Sequence, residues 1–156
     1  MHELSLDKVV SGGQTGVDRG ALDAAIYLDL SHGGWCPRGR LAEDGVIPAR
    51  YQLQETSAPQ YAVRTEQNVI DSDATLILHS GPLSGGTKYT RAMAEKHQRP
   101  VQLVDLSDPV PTETVRQWLQ AHGVRVLNVA GPRESSLPGA SDAARTYLIE
   151  LLSDLP

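Results

Sequence analysis

The chain of 156 residues has one cysteine, no phenylalanine, two tryptophans and five tyrosines. The single thiol, Cys36, excludes an internal disulfide and provides no cysteine pair for a metal site, and it is expected to be a small buried apolar residue. No apolar run approaches the roughly 18 residues that a membrane-spanning helix needs, and residues 1–5 lack a basic segment followed by an apolar one. We therefore expect a cytoplasmic protein with no membrane partner.

Basic residues are also few, with 14 Lys and Arg against 19 Asp and Glu and a formal net charge of −5. This acidity argues against binding nucleic acid through its phosphates. The five histidines are scattered without metal-ligand spacing, and the carboxylates come from separate segments, so neither a metal site nor a catalytic residue is predicted. The hydrophobic fraction of 40% suits one folded domain, which we expect to span residues 1–156.

Apolar periodicity predicts an alternation of strands and helices. The predicted strands are 8–10, 74–78, 100–104 and 124–129, and the predicted helices are 17 to about 29, 60–70, 88–97, 111–122 and 137–152. Residues 31–58 lack periodicity and are predicted to be a long loop around one or two short strands. Because strands that alternate with helices pair in parallel, we predict an α/β fold, a three-layer Rossmann-like domain with a mostly parallel central sheet.

A glycine-rich loop, SGGQTG at 11–16, follows the first predicted strand and precedes a helix. Ligands of open parallel sheets bind outside the carboxyl ends of the strands, and amides at a helix N-terminus attract anions. Thr15 is the expected N-cap of the helix, with Asp18 three residues further on. A branched side chain at Gly13 is expected to prevent ligand binding and to leave the fold intact. The predicted binding residues of this loop are Ser11, Gly12, Gly13, Gln14, Thr15 and Gly16.

Two further loops follow predicted strands and carry groups that suit an anion. The hydroxyl of Thr87 and the ammonium of Lys88 could meet a negative group, Arg133 could bind a phosphate in a forked geometry, and Asn128 could contact a ring edge. Capped turns and surface ion pairs are the alternative interpretations of these loops. The predicted binding residues are Gly85, Gly86, Thr87, Lys88, Asn128, Gly131, Arg133 and Glu134, with Arg38 and Arg40 as a rim for the anion.

Five motifs in a fixed order resemble the molybdenum-carrier family, and together they cover nearly the whole chain. The motifs are SGGQTGVDRGALDAA at 11–25, GGWCPRGRLAEDG at 33–45, SDATLIL at 72–78, SGGT at 84–87 and NVAGPRES at 128–135. Members of this family resemble a broader Rossmann-like group that includes the lonely-guy (LOG) phosphoribohydrolases.

The resemblance implies an oligomeric carrier, a dimer or a tetramer, that binds the molybdenum cofactor, a pterin with a phosphate and a dithiolene. It implies that the loops at 12–16 and 85–87 hold the phosphate or a metal-oxo anion, surrounded by Arg38, Arg40 and Arg133. A related phosphorylated pterin or oxyanion is the wider class of ligand.

An enzyme and a sensor are the alternative functions. LOG-type hydrolases of nucleoside monophosphates carry P-G-G-x-G-T-x-x-E, in which the glutamate serves cleavage of the N-glycosidic bond. This chain departs from that pattern, because the third glycine is missing and Thr90, three positions after Thr87, stands where the glutamate is expected. Glu95 or Glu134 could substitute for the glutamate from another direction. A nucleotide-binding sensor without turnover is the third hypothesis.

Overall fold

The computed structural model describes residues 5–153, and a five-stranded parallel sheet runs through its centre. The expected domain, residues 1–156, extends beyond these described residues at both ends. The strands are β1 (Lys8–Val10), β2 (Ser31–Gly33), β3 (Trp35–Cys36), β4 (Leu41–Ala42), β5 (Gly45–Val46), β6 (Gln54–Glu55), β7 (Ala74–His79), β8 (Val101–Asp105) and β9 (Val126–Ala130). The helices are α1 (Val17–Tyr27), α2 (Tyr61–Ile70), α3 (Gly85–Lys96), α4 (Thr112–Ala121) and α5 (Ala140–Leu152).

The central sheet has the strand order β2-β1-β9-β7-β8, and every pair in it is parallel. Val9 lies between His32 and Leu127, and Leu76 lies between Gln102 and Val129. Helices α1, α4 and α5 pack together on one side of the sheet, and α2 packs against α3 on the other. The predicted three-layer α/β fold is therefore confirmed.

The main core lies between the sheet and helices α1, α4 and α5. Apolar residues recur every three or four positions along α1 and α5, so each helix buries a continuous stripe against the sheet. Leu76, Leu127 and Leu148 are fully buried in this core. None of the helices within residues 5–153 has the length and apolarity to cross a membrane.

The segment predicted as a long loop contains more structure than expected. Its first strand, β2, extends the central sheet, β3 pairs with β6 in parallel, and β4 forms an antiparallel hairpin with β5. These strands have two or three residues each, which is too short to show a sequence period. They enclose a second apolar cluster in which Leu22, Cys36, Ile47 and Tyr51 are buried. Burial raises the pKa of the Cys36 thiol, which favours the unreactive protonated form.

The ends of several helices also differ from the predictions. Helix α3 begins at Gly85 with Ser84 as its N-cap, so Gly85, Gly86 and Thr87 form its first turn and not a loop. Helix α1 has Gly16 as its N-cap and no side-chain cap, so the prediction that Thr15 caps it is wrong. The hydroxyl of Thr15 instead donates a hydrogen bond to Glu43.

The close contact at Gly131 leads to a prediction about stability. A Cβ atom at this position would lie 2.1 Å from the carbonyl oxygen of Leu78, which belongs to a central strand. Gly131→Ala should lower the free energy of unfolding by about 1–3 kcal/mol, because the backbone must shift. At Gly86 no atom lies within 4 Å of the added Cβ. Gly86→Ala is the control and should stabilise the chain by up to about 1 kcal/mol through its helix propensity. If urea denaturation showed the same loss of unfolding free energy for Gly131→Ala and Gly86→Ala, the close contact at Gly131 would not be the cause.

Candidate functional site

A pocket of about 490 Å³ opens at the carboxyl ends of β1, β9 and β7. Its volume lies within the range of pockets that bind small molecules. The loops that follow these three strands form its walls, together with residues of α2 and the start of α3. We call it the strand-end pocket, and the residues that define its walls include Gly12, Gln14, Asp18, Tyr61, Arg64, His79, Ser84, Gly85, Gly86, Thr87, Tyr89, Thr90, Asn128, Gly131 and Arg133.

The structure brings part of the predicted binding set together in this pocket. Every one of the three glycine-containing loops contributes to it. The predicted residues that line the pocket are Gly12, Gln14, Gly85, Gly86, Thr87, Asn128, Gly131 and Arg133. The predicted residues that lie outside its lining are Ser11, Gly13, Thr15, Gly16, Arg38, Arg40, Lys88 and Glu134.

Most backbone amides of the first loop are already hydrogen-bonded within the protein. The amide of Gln14 donates to Asp18 Oδ2 at 3.4 Å, that of Thr15 donates to Gln14 Oε1 at 3.0 Å, and that of Val17 donates to the carbonyl of Pro132 at 3.1 Å. The amide of Gly13 donates to Ser11 Oγ at 3.4 Å. The amide of Ser11 donates to the carbonyl of Gly33 at 3.1 Å. The expected row of bare amides in residues 11–16 is therefore largely filled by local acceptors, and the amide of Gly16 is the one with no acceptor among the described residues.

Gly13 supports the fold and does not face the pocket. Its φ angle is +78°, and a Cβ there would lie 2.6 Å from Leu53 Cδ1 and 3.0 Å from Ile47 Cδ1. These two side chains belong to the second apolar cluster. The expectation that Gly13→Val leaves the fold intact therefore needs correction, because the substitution would disturb both the backbone and this cluster.

The first turn of α3 has three consecutive amides without an acceptor among the described residues, whereas most amides of the first loop are hydrogen-bonded. No acceptor within residues 5–153 takes a hydrogen bond from the amide of Gly85, Gly86 or Thr87, and the side chain of Ser84 does not cap the helix. A Cβ at Gly85 or Gly86 would meet nothing within 4 Å. The first turn of this 12-residue helix thus provides unpaired amides and a partial positive charge at the pocket wall. This arrangement suits a phosphate or another oxyanion.

A buried ion pair between Arg64 of α2 and Asp18 of α1 also lines the pocket, and sequence reasoning missed it. Arg64 Nη1 lies 3.2 Å from Asp18 Oδ2, and the two residues are only 8% and 6% exposed. Gly12 makes room for the arginine, because a Cβ on Gly12 would lie 1.6 Å from Arg64 Nη1. Burial raises the pKa of Asp18, and the nearby Arg64 opposes that rise.

The sequence held one weak signal for this part of the site. Arg64 and Asn68 are four residues apart and are both buried, so polar side chains occupy the inward face of α2. Asn68 holds the backbone of Trp35 by accepting from its amide at 2.7 Å and donating to its carbonyl at 3.0 Å. Asn68 therefore positions β3, and both Asn68 and Arg64 line the pocket.

Polar and aromatic side chains complete the inner walls. Asn128 of β9 is 3% exposed, and its Nδ2 donates to Thr75 Oγ1 at 3.2 Å. Tyr61 at the start of α2 and Tyr89 of α3 both line the pocket, and the Arg64 guanidinium carbon lies 5.3 Å from the centre of the Tyr61 ring. The pocket therefore combines amide groups with aromatic surface.

The β4–β5 hairpin joins the loops that follow β1 and β9. Glu43 accepts hydrogen bonds from the Thr15 hydroxyl and from both the amide and the hydroxyl of Ser135, and Arg133 Nε lies 3.6 Å from its carboxylate. These hydrogen bonds hold the pKa of Glu43 below its usual value, with the Ser135 hydroxyl as the largest cause and the Thr15 hydroxyl as the next. Glu43 thus positions the loop that carries Arg133 at the rim of the pocket.

Three predicted charged residues have other partners or positions. The carboxylate of Glu134 accepts from the amides of Gly139 and Ser141 at the start of α5. The guanidinium of Arg40 donates to three carbonyls in residues 47–51, so it stabilises the loop after β5. Arg38 is exposed and lies outside the pocket lining. Across residues 5–153, no three His, Cys, Asp or Glu side chains are grouped in a way that could hold a metal ion.

Removing only the cation of the Arg64–Asp18 pair should strongly destabilise the protein. Arg64→Ala leaves the Asp18 carboxylate buried without its partner, which should lower the free energy of unfolding by about 3 kcal/mol near neutral pH. The double variant Asp18→Asn, Arg64→Ala removes that charge and should recover part of the loss in urea denaturation. If the double variant is as unstable as Arg64→Ala, the uncompensated charge is not the cause.

Comparison with known proteins agrees with this architecture. The crystal structure of a protein from Syntrophus aciditrophicus SB, named "putative molybdenum carrier protein", shares 42% sequence identity and superposes with a TM-score of 0.90, covering 97% of both chains. Curated proteins include no match to this chain. The sequence profile of the family described as circularly permutated YpsA SLOG matches residues 9–152. The resemblance stated from the five motifs is confirmed, and the chain belongs to the circularly permutated YpsA SLOG family.

Proposed function

We propose that this protein binds and carries a small phosphorylated heterocycle in the strand-end pocket. The observation that carries the proposal is the first turn of α3, where the amides of Gly85, Gly86 and Thr87 have no acceptor within residues 5–153 and face the pocket. A phosphate placed there would accept hydrogen bonds from these amides and would be attracted by the helix dipole.

Arginine side chains supply positive charge close to this turn. Arg64 donates through Nε to the carbonyl of Tyr61 and through Nη1 to Asp18, which leaves Nη2 without an acceptor among the described residues. Arg133 lines the same pocket and is exposed, and its contact with Glu43 at 3.6 Å is long for an ion pair. Both guanidinium groups are therefore able to bind an oxyanion from the ligand.

The remaining volume favours a ligand larger than an inorganic oxyanion. The pocket of about 490 Å³ has room for a ring system beside the phosphate, and Tyr61 and Tyr89 offer aromatic faces for stacking. The amide of Asn128 could contact polar atoms at a ring edge. Phosphorylated pterins and nucleoside monophosphates both have these parts.

The molybdenum cofactor is the specific cargo that we propose to test first, because the relative from Syntrophus is named as a molybdenum carrier. On this proposal the cofactor's phosphate binds at the first turn of α3, and its pterin stacks against Tyr61 or Tyr89. No cluster of metal-ligating side chains occurs within residues 5–153, so we expect this chain to hold the phosphate and the pterin, and not the metal itself. Assembly of the carrier into a dimer or tetramer stays a prediction.

The enzyme alternative has less support from the described residues. The Thr90 hydroxyl donates to the carbonyl of Gly86 at 2.9 Å, and the Glu134 carboxylate binds amides of α5. Neither Glu134 nor Glu95 lines the pocket, where Asp18 is the only carboxylate among the described lining residues. Asp18 is already paired with Arg64. These contacts favour binding without cleavage of a glycosidic bond.

Gly86→Asp tests the proposed phosphate site by placing a negative charge in the first turn of α3. The new side chain has space, and an acidic residue there stabilises the helix, so the melting temperature should not fall. Calorimetric affinity for guanosine 5′-monophosphate should nevertheless drop by at least about tenfold, since like charges repel. Gly86→Asn, which has the same size without the charge, should retain most of the affinity.

Two results would contradict the proposal. The first is an unchanged affinity of Gly86→Asp, and the second is an equal loss in Gly86→Asn. Release of free base when the wild-type protein is incubated with nucleoside monophosphates would favour the enzyme instead. Mass spectrometry and metal analysis of the purified protein would then show whether a pterin with molybdenum is its cargo.

A further inference from the structure

Asp18 places a carboxylate in the pocket that, under the proposed function, receives an anion. The residue is 6% exposed and lines the pocket from the first turn of α1. Its Oδ2 atom accepts from the amide of Gln14 at 3.4 Å and from Arg64 Nη1 at 3.2 Å. Both contacts are longer than the roughly 2.7–2.9 Å of a strong charge-assisted hydrogen bond. The ionised form of Asp18 is thus only loosely held.

Arg64 is the partner that Asp18 would share with the ligand. The residue is 8% exposed, and Nη2 of its guanidinium has no acceptor within residues 5–153. An anion that binds Nη2 competes with Asp18 for the same positive charge. With Asp18 ionised, one buried cation would face two negative groups in a poorly hydrated site, which is unfavourable unless one of them is neutralised.

We propose that binding of the anionic ligand is coupled to the uptake of one proton by Asp18. The inference rests on the proposed function, because it requires an anion in the strand-end pocket. A protonated Asp18 removes the repulsion and leaves Arg64 free to turn its charge toward the ligand. Affinity then increases as the pH falls, and the carrier releases its ligand more readily at higher pH.

The environment of Asp18 already disfavours its charge before the ligand binds. Burial is the main cause that raises the pKa of this carboxyl, while Arg64 and the amides of Gln14 and Gly12 oppose the rise. A bound anion adds repulsion and excludes more water, and both effects raise the pKa further. The pH window of the coupling lies between the pKa of Asp18 in the free protein and its higher pKa in the complex.

Few other charged groups face Asp18 or the pocket. Arg19, the next residue of α1, is engaged elsewhere, because its guanidinium binds the carbonyl of Gly13 and the carboxylate of Asp44. From α2 the charged neighbour is Arg64, from the end of β7 it is His79, and from the loop after β9 it is Arg133. Because the imidazole of His79 is a second ionisable side chain of the pocket lining, the experiment must separate any contribution from it from that of Asp18.

Isothermal titration calorimetry with guanosine 5′-monophosphate makes this separation. Titrations from pH 5.5 to 8.5, in buffers with different ionisation enthalpies, give the number of protons taken up per ligand bound. The wild-type protein is compared with Asp18→Asn, which keeps the size of the side chain and removes the titrating group. The ionisation of the ligand phosphate, with a pKa of about 6, is common to both proteins and cancels in the difference, as does any contribution from His79.

We expect the wild-type protein to take up more protons than Asp18→Asn, with a difference that approaches one. Its affinity should rise by up to about tenfold per pH unit relative to the variant as the pH falls through the window. Equal proton uptake and parallel pH profiles, with binding retained in both proteins, would overturn the coupling and leave the proposed function intact. Absence of binding by the wild-type protein at every pH would overturn both.

A measurement on the wild-type protein alone avoids any dependence on the folding of the variant. The ¹³C chemical shift of the Asp18 carboxyl, followed against pH by NMR, gives its titration midpoint with and without guanosine 5′-monophosphate. The coupling requires a higher midpoint in the complex. A midpoint that ligand binding leaves unchanged would disprove it.

Discussion

The site depends on the parallel pairing of β9 between β1 and β7. Strand β9 comes late in the chain, yet its residues Leu127 and Asn128 pair with β1 on one side and with β7 on the other. Because all three strands are parallel, their carboxyl ends lie at one edge of the sheet, and the loops that follow them meet there. Three segments that are distant in sequence thereby form the walls of one pocket.

Helices α1 and α3 both begin at this edge, and they differ in how many of their N-terminal amides are hydrogen-bonded within the protein. In the N-terminal region of α1 the amides of Gln14, Thr15 and Val17 are hydrogen-bonded within the protein, to Asp18, Gln14 and Pro132 respectively. The first turn of α3 starts with two glycines and has no such acceptors within the described residues. A helix terminus that already holds an internal carboxylate has little attraction for a second anion, whereas an unfilled one retains its full field. Under the proposed function, this asymmetry favours binding of the ligand's phosphate at α3, in the pocket that Asp18 also lines.

Much of the fold could be predicted from the sequence, because apolar runs such as 74–78 and the stripe along α5 reflect local burial that the sheet and helices impose. The short strands between 31 and 55 could not be predicted, since pairing with distant segments and not a local period defines them. Helix α3 begins earlier than predicted because two glycines, which are poor helix formers, adopt its first turn. The glycine loops were predicted to face one crevice at the carboxyl ends of the strands, and in the structure all three contribute to one pocket there. Which amides were free could not be predicted, because that depends on side chains such as Gln14 Oε1 and on the carbonyl of Pro132. Arg64 and Asp18 are 46 residues apart in sequence, and their contact depends on the packing of α2 over Gly12.

The central claim is that the anion binds at α3 and not at the loop before α1. Backbone amide chemical shifts of ¹⁵N-labelled protein, titrated with ribose 5-phosphate, test this directly because the phosphate perturbs the amides that it contacts. The account predicts that Gly85, Gly86 and Thr87 show the largest shifts and that Gly13, Gln14 and Thr15 change little. Large shifts confined to residues 13–17, with those at 85–87 unmoved, would contradict it.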